Sequence, residues 1–333
     1  MSWIIVGNSV IKYGSKIVAV PLTVSAEVTQ ADPDKVAITF DQALLDTSVP
    51  ATTAFALAGK TISNVAIVGA VVTLTVTVTY EYGDTITVDY TKPGANQLKA
   101  LIGGGQVASF SGQVVTNNIT HPLAIEDGNT KLWLDYMTGV TKDGSNGVSV
   151  WANKLLVTAS DLDHIGPTKP LWESDGILFD GDFDGMWSDA FPYEQPEMIY
   201  LVIKQITWSD YGFFFDGIPG NTGVVEQATG TVSPNIVAYA GTESTPSGAL
   251  ALDTWGIVRV LFNGASSKLI VNNEIPITGN FGALDMNGVT LAKFGSGAYN
   301  GHIKIAEAIF RQVDEAAGDE ALIYNYLKSK YGL

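Results

Sequence analysis

The sequence predicts an all-β protein of two β-sandwiches, the smaller one first, with a short helix at the C-terminus. Thr, Val, Gly and Ala dominate the composition, and patterns of helical period are absent until the last twenty residues. Such residues suit a pleated, half-buried surface. Apolar and polar residues alternate at period two through long stretches, and turn residues punctuate those stretches at short intervals.

At 333 residues the chain is long enough for two domains with their own cores. Hydrophobic residues make up 46% and charged residues 16%, the balance of a folded chain and not a disordered one. Lys and Arg number 18 against 34 Asp and Glu, a formal charge of −16 that repels phosphate backbones and argues against nucleic acid as a partner. The excess sits in the second half: residues 120–333 carry 26 acidic and 12 basic groups, residues 23–119 carry 8 and 4. There is no cysteine, hence no disulfide framework and no cysteine zinc site. No apolar run approaches the roughly 18 residues of a membrane-spanning helix, so membrane insertion is not expected. The N-terminus lacks the basic start, apolar stretch and cleavage site of a signal peptide, so export by that route is not expected either.

Residues 1–22 read as two short β segments, "SWIIV" and "SVIKYGSKIVAV", closing at Pro21. Too short to bury a face of its own, this segment either packs on the domain that follows or adds as a strand to a partner's sheet edge.

Residues 23–119 form the first domain. "KVAITF" puts Val36, Ile38 and Phe40 on one face. In "VVTLTVTVTYEYGDTITVDY", Leu74, Val76, Val78 and Tyr80 alternate with threonines, "EYGD" turns the chain, and Ile86, Val88 and Tyr90 alternate again, which reads as a hairpin with one buried face. About seven short strands in roughly 100 residues predict an immunoglobulin-like sandwich. "VAITFDQAL", "VDYTKPGANQLKA" and "GQVASFSGQVVTNN" together resemble the Ig-like repeat of the SwmB type, found in bacterial surface and motility adhesins and in phage proteins. The resemblance implies a spacer or display module without catalytic residues. "TKPGAN" reads as a turn in which Gly94 takes the left-handed position.

"NNITHPLA", residues 117–124, is the expected linker to a second domain at 120–333. There the strands are longer: "KLWLDYM", "GVSVWANKL", "MIYLVIKQITW", "YGFFFDGI", "WGIVRVLFNG", "SKLIVNNEI" and "HIKIAEAIF", with Asn263-Gly264 as a turn signal. About 190 residues of antiparallel character predict a larger jelly-roll sandwich. In "DEAAGDEALIYNYLKSKYGL", Leu322, Ile323, Tyr326 and Leu327 share a helical stripe. Asp319 and Glu320 stand at the start, Lys328 and Lys330 at the end, and Gly332 follows as a cap. "LWLD", "GVSVWANK", "ILFDGDFDGM", "WGIVRVLFNG", "GHIKIAEAIF" and "IYNYLKSKYGL" occur in the order seen in concanavalin A-like, laminin-G-type jelly rolls, which this domain resembles. That likeness implies that the "FDG" and its acidic turn end one core strand and begin the next. The chain departs from the family at Asn153, Leu155 and Leu156, where an Asp-x-Ser-Gly turn is usual.

"FDGDFDG" raises the question of a metal. Asp180, Asp182 and Asp184 are spaced like the start of an EF-hand loop, yet position 12 is Phe191 in place of a bidentate Glu, and the flanks look like strands. Two readings stay open: a Gly/Asp turn, or a calcium site of another kind in which an extended 180–184 puts three carboxylates on one face. Hydrolysis is not expected, because the Glu-x-Asp-x-x-Glu strand of jelly-roll glycosidases is approached only by Glu173 and Asp175, with Leu178 in the acid position. His121, His164 and His302 are scattered, and Gly103–Gly105 lacks the Lys and helix of a phosphate loop.

For a carbohydrate ligand the candidates are Trp187, Trp208, Asp210 and Tyr211, with Asp189 nearby. Sugar faces pack on aromatic rings while hydroxyls seek acceptors, although large rings of this kind more often fill a core or interface. Trp133, Trp151 and Trp255 lie within strand motifs and are expected in the core. The whole reads as a non-enzymatic bacteriophage virion protein, a capsid decoration, head fibre or tail fibre component, assembled in the host cytoplasm and exposed on the virion surface. Its expected partners are other virion proteins through the N-terminal segment, further copies of itself, and a host-surface glycan. The alternative is an extracellular or cell-surface carbohydrate-binding adhesin module of a bacterium.

Overall fold

The computed structural model describes residues 3–6, 9–12, 20–155, 161–228, 230, 233–295 and 299–333. They form two compact units, Met1–Leu123 and Ala124–Leu333. The fold is all-β, an immunoglobulin-like sandwich followed by a larger antiparallel jelly roll with one C-terminal helix.

In the first unit, β1 (Trp3–Val6) and β2 (Ser9–Lys12) pair antiparallel as a ribbon of their own. The rest of the expected second terminal segment, 13–19, lies outside the described residues. Seven strands follow: β3 (Thr23–Thr29), β4 (Asp32–Phe40), β5 (Phe55–Leu57), β6 (Ile62–Val68), β7 (Val71–Val76), β8 (Ile86–Tyr90) and β9 (Phe110–Asn118). Their order is β5-β8-β9-β3-β4-β7-β6, with β9 and β3 parallel and the remaining pairs antiparallel. Val36, Ile38, Val72, Leu74 and Val88 are fully buried, as the alternation requires.

The expected hairpin of "VVTLTVTVTYEYGDTITVDY" does not form. β7 pairs with β4 and β6, whereas β8 pairs with β5 and β9. β7 stops at Val76, Val78 turns out to 62% exposure, and the chain crosses over before β8 begins. A crossover between two half-buried strands leaves the same alternation in the sequence as a hairpin does. In the "TKPGAN" turn the left-handed residue is Asn96, with φ 52°, and not Gly94. β9 continues to Asn118 and Ile119 packs in this first core, so part of the expected linker is strand and core.

The second unit contains β10 (Thr130–Asp135), β11 (Val140–Lys142), β12 (Val148–Trp151), β13 (Leu162–Ile165), β14 (Leu171–Glu173), β15 (Gly176–Asp180), β16 (Gly185–Trp187) and β17 (Glu197–Gln205). It continues with β18 (Phe213–Gly217), β19 (Val224–Gln227), β20 (Ile236–Tyr239), β21 (Trp255–Phe262), β22 (Ser267–Val271), β23 (Ile277–Gly279), β24 (Val289–Leu291) and β25 (His302–Arg311). One sheet runs β14-β15-β25-β17-β21-β22-β23, with β10 also on β25; the other runs β11-β12-β13-β16-β24-β18-β19-β20. Phe215 of one sheet meets Phe310 of the other edge-on at 5.5 Å. The "FDG" turn does end β15 and lead into β16, and it carries the chain from one sheet to the other. Asn263-Gly264 turns β21 into β22, with Gly264 at φ 51°. Trp133 and Trp151 are buried as expected, but Trp255 is half-buried, its ring 5.7 Å from the Lys204 ammonium. At the departure from the family pattern, the Asn153 side-chain oxygen accepts the N–H groups of Trp133 and Leu155 at 3.0 and 3.1 Å; Leu156 lies outside the described residues.

Helix α1 (Ala317–Tyr331) ends at Gly332 in the left-handed conformation. Its buried positions are Glu320, Ile323, Tyr324, Tyr326 and Leu327, whereas Leu322 is only half-buried. The helix docks through charge as much as through apolar contact. Glu307, on β25 and fully buried, accepts hydrogen bonds from Trp133 Nε1 (2.7 Å), Lys330 Nζ (2.6 Å), Tyr331 OH (2.8 Å) and Tyr326 OH (3.3 Å). Lys330 also reaches Asp135 at 2.8 Å. Burial works against the Lys330 ammonium, but Glu307 and its neighbours outweigh it and hold the pKa up. Removing one partner of such a buried pair leaves the other charge unmatched. Glu307→Gln is therefore expected to cost about 3 kcal/mol and to lower the melting temperature of this unit by roughly 10 °C, read by calorimetry.

Candidate functional site

The Asp180–Asp184 stretch is not extended. Gly181 and Phe183 take positive φ, at 79° and 61°, and the carboxylates serve the turn's own backbone. Asp180 Oδ1 accepts the Asp182 N–H and Asp184 Oδ2 accepts the Asp180 N–H, both at 2.8 Å, while Thr168 Oγ1 donates to the Asp182 carbonyl at 2.7 Å. Asp182 is exposed and Asp184 is 1% exposed, so the three carboxylates do not share one face. Among the described residues no group of three His, Asp or Glu side chains is gathered for a metal ion. The arrangement is that of a turn.

The would-be hydrolytic pair is also occupied. Glu173 and Asp175 both form ion pairs with Lys304, the Asp175 contact at 2.9 Å. Two acids that sequence reasoning passed over are buried on the other sheet. Asp216 accepts backbone N–H groups of Gly217, Asn221 and Thr222 at 2.8–3.3 Å, which folds the 217–222 loop around it. Burial pushes its carboxyl up to about 6, against those donors. Burial likewise pushes Glu226 up to about 7, helped by Glu243 and Asp216. A single acid in a run such as "FFFDG" was the only sequence signal.

The aromatic candidates divide. Trp187, on β16, is 45% exposed and stands in register between Asp163 of β13 and Thr290 of β24. Trp208 is half-buried and tied down, its Nε1 donating to the Asn235 carbonyl at 3.3 Å. Asp210 is exposed, and Tyr211, 40% exposed at φ 59°, lies 4.9 Å from the ring of Tyr299. Tyr299 in turn contacts Phe294, and Phe294 contacts Phe213. The structure thus joins Tyr211 to Tyr299, which the sequence did not single out, and leaves Trp187 on a strand separated from β18 by β24. Bulky residues in the left-handed region are uncommon and collect at ligand-binding and switch sites. Of the histidines, His302 Nδ1 lies 2.9 Å from Thr207 Oγ1, and the three remain scattered over linker, β13 and β25.

No family model matches this chain and no curated protein matches it. Among solved structures, a Trypanosoma rangeli sialidase in complex with sialic acid aligns at 10% identity and a TM-score of 0.42, over 93% of this chain and 62% of that one. Domain 4 of AbnA, an extracellular arabinanase of Geobacillus stearothermophilus in complex with arabinotriose, aligns at 9% and 0.39 over 60% and 98%. The lumenal domain of VIP36, bound to Ca2+ and Man3GlcNAc, aligns at 13% and 0.33 over 49% and 88%. The chain spans less than two thirds of the sialidase length, and the ligands named are those of the other proteins.

The turn carries a test. Burial pushes the Asp184 carboxyl up to about 7, with the Asp180 charge adding to it and the Asp180 N–H opposing it. An ordinary Asp ionises near ~4, so between those values the folded chain holds a proton that the unfolded chain has released. Stability from this group falls as pH rises through that window. Asp184→Asn is expected to be more stable than the parent by about 1–2 kcal/mol at pH 8 and indistinguishable at pH 4, by urea unfolding. Calcium at ~5 mM is expected to leave the melting temperature within about 1 °C of its value in EDTA; a rise of many degrees would restore the metal site.

Proposed function

We propose that the chain is a non-enzymatic structural protein of a bacteriophage particle, as a capsid decoration, head fibre or tail fibre component. The observation that carries this reading is the ribbon β1–β2, whose pairing is with itself alone among the described residues. Its register sets Ile4 opposite Ile11 and Ile5 opposite Val10. A two-stranded ribbon of four residues each is marginal in water and gains stability by adding to another sheet. The ribbon docks on the particle, the Ig-like unit projects, and the jelly roll presents its exposed aromatics, Trp187 and Tyr211, to a host-surface glycan. Symmetric copies multiply a weak single contact.

The same exposed rings serve equally in a bacterial surface or secreted carbohydrate-binding adhesin, which is the competing reading. The test is mass spectrometry of purified phage particles from the source culture, with immunogold labelling against residues 120–333. Gold on particles is expected, and its place on head, tail or fibre assigns the component. Label confined to cell surfaces would transfer the protein to the adhesin class.

A further inference from the structure

Well-buried cations of the jelly roll are matched to carboxylates. Lys330 pairs with Asp135 and Glu307, Arg311 with Glu315 and Asp127, Arg259 and Lys268 with Glu320, and Lys304 with Glu173 and Asp175. Lys293 breaks the pattern. It is 7% exposed, and among the described residues its ammonium makes one ring contact, 6.0 Å from the centroid of Phe183, and no hydrogen bond or ion pair. Its stem is buried while its ammonium reaches solvent, where a ring contact of this kind returns only about 0.5–1 kcal/mol and leaves the charge open to a carboxylate.

The surroundings are built to hold it there. Gly185 of β16 has no side chain, and a Cβ at that position would lie 3.0 Å from the Lys293 Cβ and 3.2 Å from its Cδ, so the lysine stem runs across the glycine. Ala292, just before the lysine, sits at φ 56°, a left-handed residue where the chain leaves β24. Phe183, also left-handed, is 48% exposed. Trp187 is two residues from Gly185 on the same strand and therefore on the same face, about 7 Å along, with its ring 45% exposed. Exposed Asp163 stands opposite it in register.

We infer that Lys293, Phe183 and Trp187 form the seat of an acidic saccharide, whose carboxylate pairs with the lysine ammonium while an apolar ring face stacks on Trp187. The inference rests on the glycan-binding part of the proposed function and names its ligand class. A chain with a net charge of −16 repels polyanions at long range. Screening confines that field to about 8 Å at physiological salt, which lets a single carboxylate on a sugar reach the lysine. Asp163 is placed to accept from a hydroxyl beside it.

The test is a glycan array printed in pairs at physiological salt, each pair a uronate- or sialate-bearing saccharide and its carboxyl-reduced twin. The full chain is expected to bind at least one acidic member, and at least about tenfold more weakly its twin, the loss of one charge-assisted contact. Lys293→Met, which keeps the stem, is expected to abolish the preference, Lys293→Arg to retain it, and Trp187→Ala to weaken both twins alike. Unchanged melting temperatures establish that the variants fold. Equal binding to both twins, or an unchanged preference in Lys293→Met, overturns the acidic seat while leaving glycan adhesion standing. Binding to no printed glycan overturns both, and leaves the particle-labelling result to stand by itself.

Discussion

A fully buried carboxylate on the central strand of the jelly roll dictates much of what surrounds it. Glu307 lies on β25, which pairs with β10, β15 and β17, so its burial follows from topology and not from choice of side chain. A charge in that position is tolerated only when its lone pairs are filled. Trp133 supplies one donor from β10, and the remaining three come from the last turns of α1. The C-terminal helix is thereby fixed in rotation: Tyr326, Lys330 and Tyr331 must face inward together. At its other end Glu320 is clasped by Arg259 and Lys268, so the helix is held by ion pairs at both ends with Ile323 and Leu327 buried between.

The strands were largely legible because their composition and period are strong, and all seven of the long jelly-roll runs appear as strands. What period cannot convey is partnership. β7 and β8 alternate as a hairpin would, yet the break around Val78 sends them to different neighbours. The helix shows a similar limit. Lys330 reads as a dipole partner at a helix end, and only the fold reveals the buried carboxylate that it reaches.

The candidate site was legible in part. Trp187, Asp210 and Tyr211 are exposed, while Trp208 is pinned by its own indole hydrogen bond. Tyr299 and Lys293 carry no local signal, since their neighbours are a ring in the loop before β18 and a glycine on β16. The acidic residues were read as a surface field, yet several act inside. Asp180, Asp184 and Asp216 each hold backbone N–H groups of a loop, and Asp143 does the same for Ser145 and Gly147. The charge excess is therefore partly a set of loop fasteners, and the loops around the aromatics owe their shapes to it.

The rings on these loops and on β16 stand clear of the core: Phe183, Trp187, Tyr211 and Tyr299 are each 40% exposed or more. Exchanges at Trp187 and Tyr299 leave the Glu307 hub untouched, because surface substitutions away from special backbone features change stability by only about 0.5 kcal/mol, whereas at the left-handed positions 183 and 211 it is His or Asn that keeps access to the backbone conformation. Scaffold and exposed rings are thus separable units of inheritance. The four ring positions can change in a lineage while the two-sheet core and the Glu307 hub beneath them are passed on intact.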